Sequence, residues 1–572
     1  MSPAPDQRLT SASPAAALFR MALRRGAVLC AIVGIVSLAT VLSSRHTPYD
    51  GDSVNVKQQL EHLPSVSDLF SHKLLWMPAN SDVADDAFLV SGPTRISKEG
   101  DISFVLFGFK HTSETPSIKC SFSIQGKKSE AASVNAVFHT NPWHLLFSNP
   151  NTMPFYGKDK EEYFANLLLS RNVSVPSTEG RYVIATAVCR VPDLALFNEP
   201  AATVKLTGTW SFDPLALNAS PSPRKGGVTL SQCSSLAYWD KAIFGGGRND
   251  DGFWAWFQRV IESIEFNRAH GVEHTTMYFS RLPSEEDYRA RRLLHHYVRT
   301  GAVTLVDARG GPYEIYYGGQ IAHFADCLER QRYLIGAKYT HFFDFDEFLV
   351  FPDHDYNQSG LPAYSRLTDY LDMISAEDNP QLSVEHALED FEQAKAAGSE
   401  CDGKIIQEFV VRNYRFLANV CGQNKTLPTP QGPLFSPYIQ TRPRMPMVGP
   451  SKVIVRPRYT QFVGIHDSYL DKNACGNDCC TYVVPIREMI QYHLRGFLNT
   501  HSSTKCFDYL SPSGQQDYLA SCYKQMKYAK YTPTDNATYC EVVTDSLFSG
   551  KYVSDMSSLA RSVWNDAGID SM

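Results

Sequence analysis

Three patterns of apolar and polar positions follow one another along the chain. The first is an uninterrupted apolar run. From Gly26 to Ser44 no residue is charged, and Ala, Val, Ile and Leu dominate. At a helical rise of about 1.5 Å per residue the run spans roughly 28 Å, about the hydrocarbon thickness of a bilayer. Arg20, Arg24 and Arg25 precede it and Arg45 follows it. The basic excess upstream keeps the N-terminus in the cytosol and sends the rest across. The run predicts a retained signal-anchor. A cleaved signal peptide is the other reading, and for that the apolar core and the basic leader are both long. The expected order is a cytosolic tail (1–25), a transmembrane signal-anchor (26–44) and a stem (45–65).

The second pattern has a period near two. Ile102–Lys110, Ser117–Gly126, Tyr182–Val191 and Ala202–Phe212 are β-branched and aromatic, partly alternating, and separated by Pro, Gly, Ser and Asn clusters. Such runs predict short strands. Residues 66–225 are expected to form an all-β sandwich, which Cys120 and Cys189 could staple. The segment Pro221–Gly227 reads as a linker.

The third pattern alternates strand and helix. Phe253–His270 carries apolar residues at helical spacing and ends at Gly271, where a C-terminal glycine belongs. Strand His274–Phe279, helix Ser284–Arg299, strand Ala302–Asp307, helix Gly319–Ile335 and strand His341–Phe351 follow. That succession predicts an α/β domain over 226–572, with a mostly parallel sheet flanked by helices.

Composition narrows the function. At 572 residues the chain exceeds one ordinary core. Lys and Arg number 54 against 60 Asp and Glu, a net charge of -6. No basic face for nucleic acid is implied. Asn-x-Ser/Thr sites occur at Asn172, Asn218, Asn357, Asn424 and Asn536. Of 13 cysteines, Cys30 lies in the apolar run and an even number remains. Both features suit an oxidising secretory lumen. Cys475, Cys479 and Cys480 lack the spacing of a zinc pair, and the compartment favours disulfides for them.

The chemistry concentrates in His341–Phe351 (HFFDFDEFLVF). A strand this apolar should be buried, and burying carboxylates is costly unless each is paired or bound to a metal. On one strand Asp344 and Asp346 would point the same way. Two such carboxylates make a hard oxygen site for Mn2+ or Mg2+. A short Asp-x-Asp also occurs by chance, and its apolar flanks are what set this one apart.

The stretch Gly319–Phe351, with Gln320, Asp326-Cys-Leu-x-Arg330 and Asp344-x-Asp346-Glu-Phe, resembles glycosyltransferase family 92. Within that family it is similar to the plant β-1,4-galactan synthases. Gln232–Tyr238, Trp254 and Trp256, Leu305–Tyr317, Lys452–His466 and Gln491–Gly496 agree in order. The β region stands where those synthases carry a carbohydrate-binding-like domain.

The resemblance implies a GT-A fold and a metal-dependent, inverting transfer of galactose from UDP-galactose to a β-galactan or related cell-wall glycan. It implies Asp344 near the ribose or metal, and Asp346 and His466 as metal ligands. Gln320, Ser234 and His493 would contact the donor. Glu408 matches an acidic position of the synthases and is the expected general base, with Asp467 and Glu347 as rivals. Asp326 and Arg330, one turn apart, are either a simple helix pair or a brace for the metal shell. The implied setting is the Golgi membrane, as a single-pass type II protein, with a homodimer as a possible assembly. The segment Glu385–Glu400 departs from the plant pattern in length and charge and puts the acceptor in question. A protein-linked glycan as acceptor, a non-catalytic glycan-binding membrane protein and a metal-dependent phosphohydrolase remain as other readings.

Overall fold

The computed structural model of the chain describes residues 63–70, 72–80, 87–95, 100–110, 117–125, 132–140, 181–217, 226–235, 250–285, 287–310, 319–345, 347–351, 367–375, 401, 404–415, 441–443, 447–464, 468–470, 478–484, 488–493, 542–544, 562–563 and 566. The expected transmembrane run and the five glycosylation sites lie outside them. Among the described residues no helix is long and apolar enough to cross a membrane.

A ten-stranded sheet organises the C-terminal part. Its strands are β1 (His72–Lys73), β2 (Leu230–Ser235), β3 (His274–Phe279), β4 (Val303–Asp307), β5 (Tyr339–Phe342), β6 (Glu347–Val350), β7 (Ile405–Arg415), β8 (Met447–Val455), β9 (Cys479–Val483) and β10 (Ile490–His493). The order is β1-β4-β3-β2-β5-β8-β7-β10-β6, with β9 also beside β7. Strands β1 to β5 pair in parallel. Strand β8 runs antiparallel to β5 and β7. Helices α1 (Asp250–Ala269), α2 (Tyr288–Arg299) and α3 (Gln320–Glu329) follow β2, β3 and β4, as crossovers between parallel strands must. This mixed α/β architecture fits a GT-A-like domain.

The helical and strand periods locate most of these elements. Helix α1 stops before Gly271, whose φ of 99° takes the left-handed form. Helix α2 begins later than the charged pattern suggests, because Asp287 caps it by accepting from the Ala290 N–H at 3.1 Å. Helix α3 runs into a π-helical turn, Arg330–Ile335, that ends at Gly336.

One expectation fails. His341–Phe351 is not a single strand. Strand β5 ends at Phe342, a four-residue break follows, and among the described residues β6 pairs with β10 alone. Four strand spacings of about 4.8 Å separate β5 from β6 along the sheet path. So short a link cannot bridge that width in a flat sheet. Strand β7 has a register slip between Val411 and Asn413, and from Asn413 on it pairs with β10. Asp344 therefore sits in a connection, and strand alternation does not set its direction.

Further upstream, strands including Asp101–Lys110 and Arg181–Arg190 form a six-stranded sheet, and Ile118–Ile124 and Ala202–Gly208 belong to a four-stranded one. The Cys120–Cys189 disulfide joins the two sheets, and residues of both share an apolar cluster with Trp210 and Phe212. The six-stranded sheet also packs on α3. Val105, Phe107 and Ile184 lie in one cluster with Phe324, Leu328, Val453 and Val455, and Ser103 donates to Glu329 at 2.9 Å. Residues just after 65 belong to the α/β part: Phe70 meets Phe279 edge to face, and β1 extends the central sheet beside β4.

Candidate functional site

Strands β2 and β5 end side by side, with Cys233 in register with Phe342. Past that point the chain turns. The Glu347 N–H donates to the Asp344 carbonyl at 3.2 Å. In return the Asp344 N–H donates to Glu347 Oε2 at 2.8 Å. This reciprocal pair closes the break between β5 and β6 and presents the Asp344 side chain.

Both Asp344 carboxylate oxygens receive an N–H. Gln320 Nε2 at the start of α3 donates to Oδ1 at 2.9 Å. Lys452 Nζ on β8 donates to Oδ2 at 2.8 Å and lies 3.2 Å from Glu347 Oε2. The Lys452 and Glu347 side chains are each 1% exposed and that of Asp344 is 19% exposed. Burial works against the charged form of Lys452, but the Asp344 and Glu347 carboxylates outweigh it and hold its pKa above the ordinary lysine value.

Ser234 completes the wall. Its hydroxyl donates to the Phe343 carbonyl at 3.0 Å and accepts from Gln232 Nε2 at 2.9 Å. Gln232 Oε1 accepts in turn from Asn267 on α1 and Thr275 on β3. A buried strand as polar as LSQCSS is tolerable only with such partners. The Cys233–Cys327 disulfide fixes α3, and with it Gln320, to β2. Next to Ser234, Ser235 shares a 2.8 Å hydrogen bond with His323 Nδ1. Burial pushes the His323 pKa down to about 3, so this imidazole is neutral.

Of the expected site residues, Ser234, Gln320 and Asp344 come together. His493 stands in backbone register with Glu347. Asp346, His466 and Asp467 lie outside the described residues. Glu408 sits on β7, three residues along the strand from the level of Lys452. It is level with Val455, which is level with Thr340 on β5, whereas Lys452 is level with Val411. Three residues of strand are roughly 10 Å. Its Oε2 accepts from Thr481 at 2.9 Å. Glu347 is the partner of a buried lysine. Asp326 accepts from both Arg330 and Tyr278, a buried pair inside the fold.

Lys452 had no role in the sequence reading. It stood inside a matching block, but which carboxylate a distant lysine meets depends on the pairing of β8 with β5. The Asp344 carboxylate suits a hard cation such as Mn2+ or Mg2+. Among the described residues no group of three His, Cys, Asp or Glu is gathered for a metal.

A sheet of parallel strands whose carboxyl ends gather a braced carboxylate is where open α/β folds bind their ligands. Residues 252–535 match the model of glycosyltransferase family 92, and this region is a family 92 glycosyltransferase domain. A stretch of 111 residues is 34% identical to the beta-1,4-galactosyltransferase galt-1 of Caenorhabditis elegans, covering 19% of this chain and 24% of that protein. A stretch of 95 residues is 36% identical to the galactan beta-1,4-galactosyltransferase GALS1 of Arabidopsis thaliana, covering 16% of this chain and 18% of that protein. The matches thus span about a quarter or less of the relatives' own length.

Proposed function

We propose that the chain transfers galactose from UDP-galactose to a β-galactan or related glycan, with inversion at the anomeric carbon. The observation that carries this reading is the Asp344 carboxylate, held by Gln320 and Lys452 at the strand ends of a family 92 domain. The names of the two relatives support galactose as the sugar, and that of the Arabidopsis protein supports a galactan acceptor.

In the proposed reaction the acceptor hydroxyl oxygen attacks the anomeric carbon from the face opposite the diphosphate. The new C–O bond forms as the bond to UDP breaks, and UDP leaves with the electron pair. A carboxylate takes the hydroxyl proton. Asp467 is the proposed base, because Glu347 is engaged by Lys452 and the Glu408 carboxylate accepts from Thr481. Asp344, Gln320, Ser234 and His493 orient the donor. Asp344, Asp346 and His466 would hold a Mn2+ or Mg2+ ion, which when bound neutralises the departing diphosphate. The run 26–44 anchors the protein in the Golgi membrane with this domain in the lumen.

The test is turnover by the full-length chain in detergent, with Mn2+, a panel of UDP-sugars and β-1,4-galacto-oligosaccharides. A mass ladder with UDP-galactose that vanishes with EDTA is expected. UDP release without extension would reject the galactan acceptor. No turnover of any UDP-sugar would reject the transferase reading.

A further inference from the structure

Exposure falls steeply across three charged groups in contact. Asp344 reaches the surface of the site, whereas Lys452 and Glu347 behind it do not. A ligand in the site can touch Asp344 and cannot touch Lys452. Yet the Lys452 ammonium contacts both carboxylates. Its ammonium is pinned on Glu347, and Glu347 is itself fixed to the Asp344 backbone N–H. The chain of contacts runs from the Asp344 main chain, through Glu347 and Lys452, to the Asp344 side chain. With Gln320 on the other oxygen, the carboxylate has a donor from α3 on one side and one from β8 on the other. Two donors on two oxygens from separate elements fix the plane of a carboxylate, where one would leave it free to rotate.

Charge balance alone does not require this arrangement. A buried pair such as Lys452 and Glu347 can often be replaced by neutral groups of similar shape without loss of stability. What such a replacement removes here is the hold on Asp344 Oδ2.

We propose that Lys452 is a positioning residue for the nucleotide donor, acting through Asp344 with Glu347 as its anchor. This rests on the reading above that Asp344 faces the donor. The single change Lys452→Met leaves two carboxylates without their cation and can fail to fold. The informative variant is therefore Lys452→Met/Glu347→Gln, which removes one charge of each sign.

The experiment measures UDP binding by calorimetry, with Mn2+ present, and thermal unfolding, on the full-length chain. The proteins compared are the wild type, Lys452→Met/Glu347→Gln, Asp344→Asn and the triple variant. The double variant should melt within a few degrees of the wild type yet bind UDP at least tenfold more weakly. The triple variant should bind no more than about twofold more weakly than Asp344→Asn, because the effect of Lys452 passes through a carboxylate already removed. Wild-type UDP affinity in the double variant overturns the proposal, and so do losses that simply add in the triple variant. A wild-type protein that binds no UDP overturns the donor-site reading itself, and the proposed role with it.

Discussion

Gln320 and Asp344, 24 positions apart, meet at 2.9 Å because α3 starts where β5 ends. The amide N–H bonds to a charged acceptor, which makes it worth more than a neutral hydrogen bond, about 1.5–3 kcal/mol. Gln320→Leu should therefore lower kcat/KM by roughly tenfold or more. The thermal midpoint should fall by a few degrees at most, since Asp344 keeps its lysine. Steady-state kinetics and a melting curve on the same preparation check both halves.

Removing the lysine alone should behave differently. Lys452→Met strips the cation from two carboxylates, one of them fully buried. Breaking such a buried pair costs about 3–5 kcal/mol. The single variant should unfold at clearly lower denaturant than Lys452→Met/Glu347→Gln. Equal midpoints for the two would show that Glu347 is not stranded by the loss.

Stability should decline toward acid through histidines. His323 and His341 are fully buried, and burial lowers each pKa to about 3. In the unfolded chain both titrate near 6.5. Above that pH both states are neutral and nothing is lost. Between about pH 6.5 and 3 only the unfolded chain takes up the protons, so each residue removes roughly 1.4 kcal/mol per pH unit. His341→Phe should shallow this slope. Denaturation curves across that range measure it, and an unchanged slope would remove His341 from the account.

The Cys233–Cys327 disulfide closes a loop with a sequence separation of 94. Loop-closure entropy of that length stabilises by about 4–5 kcal/mol on the chain-entropy account. Cys233→Ala/Cys327→Ala should lower the unfolding midpoint accordingly and weaken UDP binding, because α3 then carries Gln320 less firmly. Chemical denaturation and calorimetry report the two effects separately.

A fragment beginning at residue 226 should not fold. It lacks β1 and the Leu74, Trp76, Val105, Phe107 and Ile184 side chains that cover α3. Near-ultraviolet circular dichroism of the fragment should show no ordered aromatic signal. A cooperative melt would instead mean that the upstream sheets are dispensable cover.

What the sequence determined by itself is local in origin. The helical period of 253–269, the glycine that ends it and the apolar runs of β3 and β4 are written in neighbouring residues, because helix and strand geometry fix which near neighbours share a face. The Asp-x-Asp motif was visible for the same reason, and so were Gln320 and Ser234 through family resemblance. Only the tertiary structure decided what those residues meet. The break between β5 and β6 follows from strand pairings far along the chain, and no periodicity in 341–351 records it. The polar strand β2 carries no apolar signature, since its partners Asn267, Thr275 and Phe343 come from elsewhere in the sequence. Lys452 and Asp344 are 108 positions apart, and only the antiparallel register of β8 on β5 makes them one group.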